Sequence, residues 1–196
     1  MMGRMSSEAK KLATYEDLLK VPDHLVAEII LGELITSPRP GPRHARASSA
    51  LGGEIFNPFD KGKGGPGGWW ILDEPEIHFQ GDVLVPDLAG WKKEIVPVLS
   101  TSKHYFEIAP QWVCEVLSPS TAGIDRVKKL PIYAREKVDH VWLIEPLAKT
   151  LEIYQRSENR WFLLNTFTGN DKIRAAPFEA VELDLGSLWL PDETLE

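Results

Sequence analysis

An α+β fold, with a central mixed β-sheet flanked by helices and an N-terminal hairpin, is predicted by three observations. The order of local patterns is helix, hairpin, helix, strands, helix, strands, with no internal repeat. A chain of 196 residues, 43% hydrophobic and 26% charged, can bury one sizeable core and is too apolar for wholesale disorder. The run Gln111–Leu117 (QWVCEVL) is a strong strand closed by Ser118-Pro119-Ser120, and a helical stretch over 123–137 follows it.

The elements follow in order. Residues 1–13 read as a disordered leader. Thr14 with Asp17 three positions on forms a capping box before Leu18 and Leu19, and Val21-Pro22 stops that short helix. Leu25–Leu31 and Leu34–Thr36 pair as a hairpin across Gly32-Glu33. A helix spans 43–57, weakened by Gly52-Gly53. Residues 60–68 (DKGKGGPGG) form a loop whose glycines match no phosphate-binding fingerprint. Trp69–Leu72, Glu76–Phe79 and Val83–Val85 read as a meander, with 92–103 as loop. Strands Val141–Ile144, Leu151–Tyr154 and Trp161–Phe167 complete a single domain over 14–178, and 179–196 is an acidic C-terminal segment.

Composition excludes several classes. One cysteine, Cys114, allows neither an internal disulfide framework nor a Cys-rich zinc cluster. Charged residues break every apolar run at the start, and no stretch approaches the ~18 apolar residues of a membrane span. A soluble cytoplasmic protein is expected. The net charge of −7 argues against indiscriminate polyanion binding, but six of the acids lie in 179–196. The first 178 residues hold 23 acids against 22 bases, with basic clusters at Arg39, Arg43, His44, Arg46 and at Arg126, Lys128, Lys129, Arg135, Lys137. Such patches can hold a phosphate backbone; equally they can be solvated faces.

Two carboxylates stand out against their surroundings. Strand alternation puts Trp112, Cys114 and Val116 on one face and Val113, Glu115 and Leu117 on the other, so Glu115 shares an apolar face in a buried strand. An unpartnered carboxylate there would cost several kcal/mol, so an Arg, a Lys or a divalent cation must lie close. Glu28 sits in a similar apolar strand, Val26-Ala27-Glu28-Ile29-Ile30. Asp87 ends the run Val83-Leu84-Val85-Pro86-Asp87, and Asp125, Lys129 and Tyr133 recur at i, i+4, i+8. Read singly, these are a structural ion pair, a turn residue and a solvated helix face.

Read together, they resemble the PD-(D/E)xK nuclease superfamily, in particular its Uma branch of restriction-endonuclease-like proteins. The resemblance runs from about Thr14 to Leu151. It rests on AEIILGEL with Glu28, His44 at a helix start, VPD with Asp87, CEVLSPST with Glu115, the D-x-x-x-K-x-x-x-Y run of Asp125, Lys129 and Tyr133, and VDHVWLIEP at 138–146. It implies a restriction-endonuclease-like core and a Mg²⁺-dependent nuclease, with Mn²⁺ as a substitute, acting on nucleic acid and most naturally on DNA. Asp87 and Glu115 would ligate the metal, Lys129 would assist the water and the transition state, and Glu28 would support them. His44, Arg43 and Tyr133 are candidates for contact with the nucleic acid. A homodimer would be the simplest arrangement for cutting both strands of a duplex.

The sequence departs from the superfamily at one position. Leu117 stands where the usual lysine would be, two residues after Glu115, and the resemblance implies that Lys129 replaces it from the next helix, with Lys128 as a substitute and Pro131 as a local kink. Two other readings follow from that departure and from the acidity. One is a catalytically inactive nuclease-fold protein that binds nucleic acid or a protein partner. The other is a plain α+β domain in which Glu115 pairs with Arg126 or Arg135.

Overall fold

The computed structural model describes residues 11–191, so residues 1–10 of the expected leader and 192–196 of the acidic segment lie outside the described residues. Thr14 caps α1 (Tyr15–Leu18): its hydroxyl accepts from the Asp17 N–H while the Asp17 carboxylate accepts from the Thr14 N–H at 3.0 Å. The hairpin follows as β1 (Leu25–Ile30) and β2 (Glu33–Pro38). Its turn is Leu31-Gly32, one residue earlier than the pattern suggested, with both residues in the left-handed region (φ 53° and 76°) that two-residue hairpins favour.

Helix α2 (Pro42–Ile55) opens on Pro42, where the missing N–H is harmless, and widens into a π turn over Phe56–Asp60. Strands β3 (Trp69–Asp73), β4 (Ile77–His78) and β5 (Val83–Leu84) come next, then β6 (Leu88–Lys92) and β7 (Trp112–Val116). A helical stretch follows as α3 (Ala122–Ile124), a π turn (Asp125–Lys129) and α4 (Leu130–Arg135). The chain then forms β8 (His140–Glu145), β9 (Thr150–Ser157), β10 (Arg160–Thr168), and the short pair β11 (Lys172–Ile173) and β12 (Leu183–Asp184).

Strand β6 corrects the expected meander. Its Leu-Ala-Gly-Trp text has no polar alternation, because both faces are covered, and it runs between β3 and β7 in the main sheet. A Cβ on Gly90 would lie 3.1–3.2 Å from Ile71, Trp112 and Trp69, so the glycine makes room for two indole rings.

The main sheet has six strands in the order β10-β9-β8-β7-β6-β3, and β7 and β8 are its parallel pair, linked by the helical stretch 122–135. A smaller antiparallel sheet, β2-β1-β5-β4, lies beside it. Alternation on β7 divides the core. Trp112, Cys114 and Val116 pack with Trp142 and Phe178 beneath α2, and Leu183, Leu185 and Leu188 from the acidic segment join them. Val113 and Leu117 pack on the opposite face with Ile132, Tyr133 and Leu143. Glu115 emerges on that second face.

Candidate active site

Four elements converge on one point. Lys129, in the π turn, is 5% exposed, and its Nζ lies 2.9 Å from Glu28 Oε1 on β1, 3.3 Å from both oxygens of Glu115 on β7 and 3.4 Å from Asp125 Oδ1 one turn back. Glu28 Oε1 also accepts the Val85 N–H at 2.8 Å, which ties the small sheet to the cluster. Tyr133, fully buried, donates its hydroxyl to Glu115 Oε1. Asp87, in the bend before β6, accepts the Val116 N–H at 2.7 Å on Oδ2 and faces His44 Nε2 at 3.2 Å on Oδ1. The peptide N–H one residue beyond Glu115 thus holds the second carboxylate beside it.

All of these side chains except Tyr133 border a cavity of about 160 Å³. Glu28, Asp87, Glu115, Asp125, Lys129 and His44 lie in its wall, with Arg39, Glu74 and the hydroxyls of Ser118, Ser120 and Thr121 around them. Ser118 and Thr121 bond each other at 2.9 Å and close the turn that leads β7 into the helix.

The charge balance is uneven: four carboxylates meet one lysine and one histidine. Burial raises the carboxyl pKa of Glu115 well above the usual range; Lys129 pulls it back, while Asp125, Asp87 and Glu28 push it further up. Burial opposes the charge on Lys129, but Glu115, Glu28 and Asp125 outweigh it and raise the pKa of the ammonium. Burial also opposes a charge on His44, but the hydrogen bond and charge of Asp87 prevail and raise its pKa. Surplus oxygen donors of this kind suit a hard divalent cation. Among the described residues no three His, Cys, Asp or Glu side chains form a ready metal cage.

The residues singled out in the sequence separate into two groups. Glu28, Asp87, Glu115 and Lys129 border one cavity, and His44 joins them through Asp87. Lys128 points elsewhere and pairs with Glu33 at 2.9 Å. Tyr133 has no surface to offer a nucleic acid, and its hydroxyl is spent on Glu115. Arg43, half-buried in the first turn of α2, lines a neighbouring apolar cleft with Leu117, Pro146 and Leu147. The expected pairing of Glu115 with Arg126 or Arg135 is overturned: Arg126 binds Glu152 at 2.7 Å, Arg135 binds Asp82 at 2.7 Å, and the ion pair of Glu115 is with Lys129. Asp125 was not among the expected site residues. Its i, i+4 spacing to Lys129 was the available signal, and an exposed helix pair reads identically.

Comparison with known proteins bears on the family and the fold. A family model described as "Uma2: Putative restriction endonuclease" matches residues 12–186. The fold is similar to the crystal structure of a "putative nuclease belonging to DUF820" from Anabaena variabilis, with a TM-score of 0.71 and 23% identity, covering 90% of this chain and 97% of that one. No curated protein matches the chain.

Proposed function

The chain belongs to the Uma2 family, and from that premise we propose that it is a Mg²⁺-dependent endonuclease, able to use Mn²⁺, that hydrolyses phosphodiester bonds in DNA. The observation that carries this reading is the meeting of Lys129 Nζ with Glu115 and Glu28 in the wall of a cavity that Asp87 also borders. Asp87 and Glu115 would hold a divalent cation, which would supply an acidified water and offset charge on the phosphate.

The protein's own groups do the rest. The Val116 N–H and His44 fix the two oxygens of Asp87, so this carboxylate is oriented before any ligand arrives. Tyr133 and Lys129 fix Glu115 in the same way. The Lys129 ammonium lies where it can offset charge developing on a phosphate in the cavity, the part a lysine two residues after the glutamate plays in the superfamily. Leu117, at that position, is buried among apolar neighbours and leaves the task to Lys129. Arg43 and His44, at the start of α2, would contact the flanking phosphates. Two copies related by a two-fold axis would cut both strands, and a cytoplasmic location suits a DNA substrate.

The test is nicking of supercoiled plasmid with Mg²⁺ or Mn²⁺. Cleavage by the wild type and its loss in Asp87→Ala and Glu115→Ala are expected. A second reading, an inactive nuclease-fold protein that binds nucleic acid or a protein partner, is favoured by Leu117 at the usual lysine position and by the net charge of −7. DNA retention without cleavage under either metal would establish it in place of the first.

A further inference from the structure

The D-x-x-x-K-x-x-x-Y run raises a geometric difficulty that the structure resolves. In a regular α-helix each four-residue step overshoots a full turn by about 40°, so positions 125 and 133 would face about 80° apart. Yet Asp125 reaches Lys129 Nζ at 3.4 Å, Lys129 reaches both oxygens of Glu115 at 3.3 Å, and Tyr133 bonds the same Glu115. The helix is widened at this point. The Leu130 N–H bonds the carbonyl of Asp125, five residues back, and each residue in that wider turn rotates less about the axis. The drift is taken out between 125 and 129. Pro131, inside the next turn, offers no N–H and crowds the carbonyl of residue 127, which favours the wider turn just before it.

The neighbours support this assignment. Val127 is 73% exposed and Lys128 pairs with Glu33, so the rest of the widened turn faces away from the site. Asp125 and Tyr133 are 3% and 0% exposed, and their polar atoms meet the cluster.

We propose that the π turn over Asp125–Lys129 is an alignment device, and that Asp125 and Tyr133 are positioning residues which hold Lys129 and Glu115 in working register. Asp125 acts through the lysine and Tyr133 through the glutamate; neither needs to touch substrate. The effect on catalysis rests on the nuclease reading above, whereas the alignment itself does not.

The experiment uses the full chain and four variants: Asp125→Asn, Tyr133→Phe, insertion of one alanine after Val127, which turns Lys129 and Tyr133 about 100° away from Asp125, and Val127→Ala as a control outside the site. Misplacement of a catalytic group by about 1 Å lowers rates about 100-fold. Plasmid nicking should therefore fall about tenfold to 100-fold in kcat for Asp125→Asn and Tyr133→Phe, with KM nearly unchanged, and further still in the insertion variant. Val127→Ala should match the wild type. Unchanged kcat in the first two variants, or a change confined to KM, overturns the proposal, as does an active insertion variant.

Competitive acetylation followed by mass spectrometry keeps the test independent of activity and of folding failure. Lys129 should be protected in the wild type and in Val127→Ala, while exposed Lys103 is labelled. It should become reactive in Asp125→Asn and in the insertion variant at temperatures where their circular dichroism is native. Ready labelling of Lys129 in the wild type, or full protection in the folded insertion variant, refutes the alignment whether or not any DNA is cut. Failure of the wild type to cut DNA, with Lys129 protected as described, would sink the nuclease reading alone.

Discussion

Two buried carboxylates on the same side of the molecule, Asp82 and Glu115, are each 3% exposed and have opposite surroundings. Asp82 is settled: one oxygen accepts the Leu31 N–H and the other the Arg135 guanidinium at 2.7 Å, and the arginine remains 45% exposed. One negative charge meets one positive charge and one backbone donor at the hairpin turn. Glu115 has a single lysine that it shares with Glu28 and Asp125, and Asp87 adds its own negative charge nearby. Satisfied groups hold a fold together; a surplus of one sign beside a cavity is what a site for a cation and an anionic substrate requires. Burial alone does not distinguish them, but the balance of charge around them does.

The largest effect that separates the two is on chemistry. Glu115→Gln is expected to lower metal-dependent nicking by about 100-fold or more, and Asp82→Asn to leave it within about twofold, in single-turnover assays on plasmid. Equal losses in both would erase the distinction.

Next in size is the removal of the shared cation. Lys129→Met leaves three carboxylates without their positive partner and is expected to destabilise the fold by about 3–5 kcal/mol in urea titrations near neutral pH. A smaller contrast comes from the acids themselves. Asp82→Ala strands the Leu31 N–H and is expected to cost about 1–3 kcal/mol. Glu115→Ala relieves crowding among like charges but strands the buried Tyr133 hydroxyl, so the two effects should largely offset and leave stability close to that of the wild type. If Glu115→Ala unfolds the protein while Asp82→Ala is silent, the roles assigned to the two carboxylates are reversed.

The smallest effect belongs to a surface pair. Burial works to raise the pKa of Glu152, but its bonds to Arg126 and Tyr154 prevail and lower it. A lowered folded pKa contributes stability that is present above the unfolded value of about 4.3 and lost as pH falls through the folded one. Glu152→Gln should therefore flatten the acid limb of a stability–pH profile, and Arg126→Ala should change stability by under about 1 kcal/mol at neutral pH.

Much of the fold was legible because it is written in local rules. The Thr14–Asp17 capping box, the hairpin with Glu28 and the alternation on β7 each depend on residues a few positions apart. Alternation also placed Glu115 on the face where its partners were found. Strand β6 escaped notice because a strand covered on both faces loses its period, and its glycine is explained only by Trp69 and Trp112 from other strands. Asp125 escaped because a one-turn acid–lysine pair reads alike on a wet surface and in a buried cluster. The coupling of His44 to Asp87 bridges 43 residues, and no spacing rule reaches so far.

The turn Ser118–Thr121 separates two sets of partners along the chain. Glu28, Asp87 and Glu115 precede it; the ammonium and the phenol that hold Glu115 follow it. Opening the backbone there would yield two polypeptides, each with half of the ionic knot. Hydrolytic activity would then register their reunion, which makes this scaffold suited to a fragment-complementation reporter.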